Sequence, residues 1–181
     1  RPEIMVPQVC TSEELVQVKA FVEEIRIKIE AEHKLKLVFK FGTMIEVVRA
    51  CMEADELAKE AEFFSFGTND LTQATFSFSR EDAENKFLPL YAEKNILHDN
   101  PFEVLDTKGV GKLMQIAVEW GRKTNKDLKI GICGEHGGQP DSIKFCHTLG
   151  LNYVSCSSPR VPVARLAAAH AKLGEAINAS L

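Results

Sequence analysis

The sequence predicts an α/β fold in which five strand-then-helix units build one parallel sheet. Three observations lead there. Short apolar runs of strand length alternate with longer stretches whose apolar residues recur at helical spacing. The strand-like runs end in polar or glycine-rich residues, where open α/β sheets and (β/α)8 barrels place their sites. The same order, strand then helix, repeats along the chain, which implies parallel neighbours joined by right-handed crossovers.

The elements follow in order. Ile4 to Pro7 reads as a buried strand. Thr11-Ser12-Glu13-Glu14 then offers a capping start, since a hydroxyl can accept from the free N–H groups of a first helical turn. Leu15, Val18, Ala20, Phe21, Ile25 and Ile29 place a helix over about 12–32. Leu35 to Phe41 alternates as a strand and leads into Gly42-Thr43-Met44-Ile45-Glu46. Val48 to Ala61 is helical, and Phe63 to Phe66 is a third strand ending at Gly67-Thr68-Asn69-Asp70. Residues 71–108 are less regular, with a helical turn after Asp70 and prolines at 89 and 101. Val110 to Thr124 is a helix and Lys129 to Cys133 a fourth strand. Pro140 suits the first turn of a helix running to Leu149. Tyr153 to Cys156 is the fifth strand, and Pro162 to Leu173 the last helix. Five units cannot close an eight-stranded barrel. The fold is therefore either a five-stranded open sheet or a barrel lacking three units, and residues 1–181 are one domain or part of one. The abrupt entry into a strand suggests a piece of a longer protein.

Composition narrows the function classes. Hydrophobic residues at 45% and charged residues at 27% are an ordinary globular balance, and the net charge of -4 gives no basic face for nucleic acid. No apolar run approaches the roughly 20 residues of a membrane span. The five cysteines, Cys10, Cys51, Cys133, Cys146 and Cys156, fit neither a disulfide framework nor a zinc site. A reducing intracellular compartment follows, the cytoplasm first and an organelle (plastid or peroxisome-like) second. The terminal Ala179-Ser180-Leu181 lacks the basic residue of a peroxisomal address.

Three constellations carry possible chemistry. Glu46 and Asp70 follow strand-like runs, so both point from one rim of the sheet and together suit a hard divalent cation such as Mg2+. The alternative is a pair of surface carboxylates bound to Arg49 or a lysine. Gly67-Thr68-Asn69-Asp70 can present successive N–H groups to an anion, or serve only as the cap of a helix from Leu71. Cys133 in Cys133-Gly134-Glu135-His136-Gly137-Gly138 sits at the top of a strand, where its thiol can exchange a proton with a ligand and His136 or Glu135 can tune it. Its alternative is an inert buried thiol. Arg80 and Arg160 either meet an anionic substrate or pair on the surface.

Taken together, Gly42-Thr43-Met44-Ile45-Glu46-Val47, Phe64 to Gln73 and Gly131 to Gly138 resemble the three signature strand ends of the phosphoenolpyruvate-utilising enzyme family. The Glu135-His136-Gly137-Gly138 form, Asn100-Pro101-Phe102-Glu103-Val104-Leu105-Asp106 and Arg160 to Ala167 are similar to its pyruvate, phosphate dikinase branch rather than to the phosphoenolpyruvate synthases. The resemblance runs from about Glu3 to His170.

The resemblance implies the C-terminal phosphoenolpyruvate/pyruvate-binding domain of that branch, a (β/α)8 TIM-type barrel of which only about strands 4–8 and their helices are present. It implies that Glu46 and Asp70 bind Mg2+, that Glu46, Gly67, Thr68, Asn69 and Asp70 bind substrate, and that Cys133 is the general acid and base at the enolate carbon. The implied reaction is phosphoryl transfer between a phosphohistidine on another domain and pyruvate, interconverting ATP, phosphate and pyruvate with AMP, diphosphate and phosphoenolpyruvate. The implied partners are those phosphohistidine and nucleotide-binding domains and a second subunit in a homodimer. A synthase-like enzyme or a non-catalytic assembly fragment are the alternatives. Two departures stand out: Val48 replaces a family proline, and Ser158-Pro159 replaces a Pro-Phe pair before Arg160.

Overall fold

The computed structural model describes residues 2–178. Strands β1 (Glu3–Val6), β2 (Lys40–Ile45), β3 (Phe63–Gly67), β4 (Lys129–Cys133) and β5 (Tyr153–Val154) lie side by side in chain order, and every adjacent pair is parallel. The helices between and after them are α1 (Ser12–His33), α2 (Val48–Met52), α3 (Ala54–Glu60), α4 (Thr68–Phe76), α5 (Arg80–Lys86), α6 (Leu88–Glu93), α7 (Val110–Thr124), α8 (Pro140–Thr148) and α9 (Val161–Asn178). A strand order without reversal decides between the two architectures left open above. A doubly wound open sheet turns back at a switch point, whereas a barrel adds each strand beside the last.

Curvature agrees. Strands β1 and β4 are three inter-strand steps apart, about 14 Å in a flat sheet. Yet Lys129 Nζ reaches Glu3 Oε1 at 2.8 Å across the face, and Tyr153 of β5 stacks under the same ammonium at 4.7 Å. That face is concave. Period-two alternation puts Lys129, Gly131 and Cys133 on it and sends Ile130 and Ile132 to the other side. The convex side carries the main core, in which Phe41, Ile45, Phe64, Phe66, Ile130 and Ile132 of the sheet pack on Leu15, Leu57, Leu71 and Met114 of the helices. All five residues of β3 are buried, as a central strand requires.

Helix α1 opens with a capping box: Thr11 Oγ1 accepts from the Glu14 N–H at 3.3 Å, and Glu14 Oε2 accepts from the Thr11 N–H at 3.1 Å. No described helix is long and apolar enough to cross a membrane.

Several expected boundaries move. The second strand is not 35–41 but Lys40–Ile45, and Leu35 and Val38 are exposed. Local alternation cannot choose a register; pairing to β1 through Lys40–Thr43 and to β3 through Gly42–Ile45 does. The helix expected over 48–61 breaks at Glu53 into α2 and α3. Residues 71–108 contain α5 and α6, which close on their own small cluster of Ala83, Leu88 and Phe102. The fifth strand is only Tyr153–Val154, and the last helix begins one residue early, at Val161.

Val48 is the first residue of α2, after Val47 in extended backbone (φ -108°, ψ 135°). A first-turn N–H has no partner within the helix, and extended backbone is what a following proline demands. Val48→Pro is therefore expected to stabilise the chain by about 0.4–1 kcal/mol by restricting the unfolded state, measured by urea denaturation.

Candidate active site at the strand ends

Strand geometry brings the three constellations to one rim. Gly67 and Cys133 are register partners across β3 and β4, and Glu46 is the residue after β2. Glu46 leans over Gly67 so closely that a Cβ there would lie 2.6 Å from Glu46 Oε2. A side chain at 67 would have to displace this carboxylate and the Met44 sulfur, which would also lie 2.6 Å from it. Glu46 is 4% exposed, and its Oε1 accepts the Gln8 N–H at 2.8 Å. Burial pushes its carboxyl above the usual range, the Gln8 bond opposes, and the nearby Asp70 charge pushes it further up. Arg49 is not its counter-ion, because it binds the Cys10 carbonyl and Glu53 instead.

Helix α4 starts earlier than the sequence suggests. Gly67 is its N-cap and Thr68 its first residue, so Asn69 and Asp70 lie in the first turn rather than before it. The free N–H groups of that turn, and the positive end of the helix dipole, therefore face the same rim. Thr68 is buried, Asn69 half-buried and Asp70 exposed, and the buried Asn69 Oδ1 has no hydrogen-bond partner.

Cys133 is half-buried, its Sγ 3.6 Å from the Phe66 carbonyl oxygen. Burial raises the thiol's pKa, a hydrogen bond with Ser65 opposes this, and the Glu46 charge adds to the rise. The group is thereby held as a neutral thiol near neutrality. Burial pushes Cys51 and Cys146 up to about 12, which marks them as inert packing thiols. Ser65 was not singled out from the sequence, although period-two alternation between Phe64 and Phe66 puts it on the concave face beside Gly67.

The loop after β4 corrects one expectation. His136 and Glu135 were candidates to tune Cys133, but neither faces it. His136 is fully buried, with Nδ1 2.7 Å from Thr68 Oγ1 and Nε2 3.0 Å from the Pro101 carbonyl oxygen. Glu135 Oε2 lies 3.3 Å from Arg160 Nη2, and Arg80 pairs with Glu84, so both arginines are engaged on the protein. Gly134 has φ +90°, which favours glycine. A Cβ on Gly137 would come 2.2 Å from the Ser155 carbonyl oxygen, a backbone atom that cannot rotate away. Gly137→Ala is therefore expected to destabilise the chain by more than about 2 kcal/mol, measured as a fall in the urea midpoint.

The donor set fits Mg2+. Among the described residues no group of three or more His, Cys, Asp or Glu side chains is placed to hold a metal, so a cation here would have Glu46 and Asp70 alone. Two carboxylates with ligand and water oxygens are the Mg2+ pattern, whereas zinc wants four protein ligands or three with nitrogen and sulfur. Two adjacent carboxylates, one raised by the other's charge, and an orphaned Asn69 oxygen are what a dication would relieve.

Residues 1–173 match the family described as "PEP-utilising enzyme, PEP-binding domain". The chain belongs to this family. It is 58% identical over 172 residues to pyruvate, phosphate dikinase of Entamoeba histolytica, covering 94% of this chain and 19% of that protein. It is 57% identical over 172 residues to pyruvate, phosphate dikinase 2 of Oryza sativa subsp. japonica (95% and 19%), and 56% identical over 172 residues to pyruvate, phosphate dikinase of Clostridium symbiosum (95% and 20%). The family member thus spans about a fifth of the length of these relatives. Among solved structures it is similar to a citrate lyase from Burkholderia xenovorans LB400, with TM-score 0.61 at 11% identity over 92% of this chain and 48% of that one. It is also similar to a Mycobacterium tuberculosis citrate lyase beta subunit complexed with oxaloacetate and magnesium, with TM-score 0.51 at 12% identity over 92% and 61%. At such identity the likeness shows the fold alone, that of a partial (β/α) barrel.

Proposed function

We propose that residues 1–181 are the C-terminal part of the phosphoenolpyruvate/pyruvate-binding barrel of a pyruvate, phosphate dikinase. The observation that carries this reading is the meeting of Glu46, Asp70 and Cys133 at one rim, in a chain 58% identical to such an enzyme. The reaction is phosphoryl transfer between a phosphohistidine on another domain and pyruvate, with ATP, phosphate and pyruvate exchanged for AMP, diphosphate and phosphoenolpyruvate. The rest of the longer protein supplies the phosphohistidine and nucleotide-binding domains, and the active form is a homodimer.

Glu46 and Asp70 would hold the Mg2+, which when bound would supply positive charge to offset the negative oxygen left when phosphoenolpyruvate gives up its phosphoryl group to the phosphohistidine domain. The N–H groups of the first turn of α4, at Thr68, Asn69 and Asp70, bind the anionic oxygens and fix their orientation. The Cys133 thiol then donates its proton to the enolate methylene carbon, giving pyruvate, and the thiolate takes a proton from the pyruvate methyl group in the reverse direction. A reducing compartment is part of the proposal, because an oxidised Cys133 cannot move that proton.

The test is a chimaera in which this chain replaces the matching 172 residues of the Entamoeba histolytica enzyme. It is expected to form pyruvate from phosphoenolpyruvate with AMP and diphosphate, and to need Mg2+. This chain alone is expected to give none. An ordered, folded chimaera without turnover overturns the reading.

A further inference from the structure

His136 is a fully buried polar side chain that the proposed chemistry does not use. It bridges three segments: its own loop after β4, the start of α4 through Thr68, and residue 101 in the segment between α6 and α7. The Pro101 carbonyl can only accept a hydrogen bond, so Nε2 must carry the ring proton. In the neutral ring Nδ1 is then bare and can only accept, so the Thr68 hydroxyl donates to it. The Thr68 bond is short at 2.7 Å and the Pro101 bond ordinary at 3.0 Å, and with the ring fully buried both are shielded from water. Burial also lowers the ring's pKa, with the Pro101 bond opposing, in keeping with a neutral imidazole.

A consequence follows for Thr68. A threonine in an anion-binding turn would ordinarily donate its hydroxyl proton to the ligand. Here that proton is committed to His136. Thr68 retains a backbone N–H, in the first turn of α4, for a bound anion.

Resting on the proposed function, we propose that His136 is a positioning residue. It fixes Thr68 so that the turn 67–70 presents backbone N–H groups, and not the threonine hydroxyl, to the substrate's anionic oxygens. It also ties that turn to the loop carrying Cys133, so that the donor cradle and the proton donor keep one relative placement.

The first test needs no catalysis. In this chain, 15N-edited NMR of the imidazoles is expected to show His136 as the neutral tautomer protonated at Nε2. An Nδ1-protonated ring or an imidazolium at neutral pH overturns the proposal, whatever the enzyme does. The second test uses the chimaera. Because His136→Ala can fail to fold, His136→Asn, which keeps an acceptor for Thr68, is compared with His136→Gln, which reaches towards Pro101 but loses Thr68. His136→Gln and Thr68→Val are each expected to raise the KM for phosphoenolpyruvate about tenfold, and to do no more together than singly, since they break one link. His136→Asn is expected to recover most of the KM. Additive effects, or a Thr68→Val loss alongside an indifferent His136→Gln, would mean that the hydroxyl serves the ligand directly. A chimaera inactive before any substitution counts against the proposed function, while the tautomer measurement still decides the place of His136.

Discussion

Replacing Cys133 by alanine in the chimaera is expected to lower phosphoenolpyruvate-to-pyruvate turnover by roughly 10²–10⁴, the usual worth of a positioned proton donor. Binding should change little, because the side chain lies half-buried against the Phe66 carbonyl and the proposed function gives the anionic oxygens to other groups. Cys133→Ser is the sharper variant. It keeps the size and the bond to Ser65 but offers a far weaker acid, so packing predicts recovery and proton transfer predicts none. Solvent exchange of the pyruvate methyl protons, followed in D2O, isolates the step and should vanish in both variants. The direction of the thiol's shift sets the pH behaviour. Burial, opposed by Ser65 and reinforced by Glu46, keeps it protonated near neutrality. Pyruvate formation should then hold across neutral pH and decline as pH rises through the raised thiol pKa. A Cys133→Ala enzyme with undiminished methyl exchange would remove the thiol from the mechanism.

The second large effect couples function to stability. Glu46→Gln is expected to abolish Mg2+-dependent binding of oxalate or phosphoenolpyruvate while making the metal-free chain more stable by about 1 kcal/mol, roughly 2–4 °C in Tm. Glutamine keeps an acceptor for the Gln8 N–H but carries no charge to bury beside Asp70. The sign follows from linkage. The folded carboxyl is raised above its unfolded value, so its contribution is fully present below the ordinary carboxylate range. It is lost as pH rises through the raised value. The advantage of the glutamine variant should therefore appear at neutral pH and shrink on acidification. Isothermal titration with Mg2+ and oxalate, beside thermal melts at pH 4 and 7, reads both halves. Intact Mg2+-dependent binding in this variant would take Glu46 out of the site.

Much of the site was legible because it lies where local sequence is most informative. Gly67-Thr68-Asn69-Asp70 follows a wholly buried strand, and Cys133 ends another, so a β-then-α pattern alone sends them to the same rim. What misled was alternation without a partner. Leu35 to Phe39 carries the pattern of a strand, yet no neighbour pairs with it, and the ladder begins at Lys40. The structured region 80–93 was hidden for the opposite reason. Its helices are seven and six residues long, too short to show a convincing period, and they hold through Phe102, which is distant in sequence.

The sequence by itself determined the order of the units, the family, and which residues stand at the strand ends, because strand length, helical period and turn chemistry are local properties. Only the tertiary structure decided that the sheet curves enough for Glu3 to meet Lys129, that Glu46 is buried over Gly67, and that His136 serves Thr68 and Pro101 rather than Cys133. Each of these depends on contacts between residues at least 21 apart. Such contacts are fixed by register and packing, which no short stretch of chain encodes.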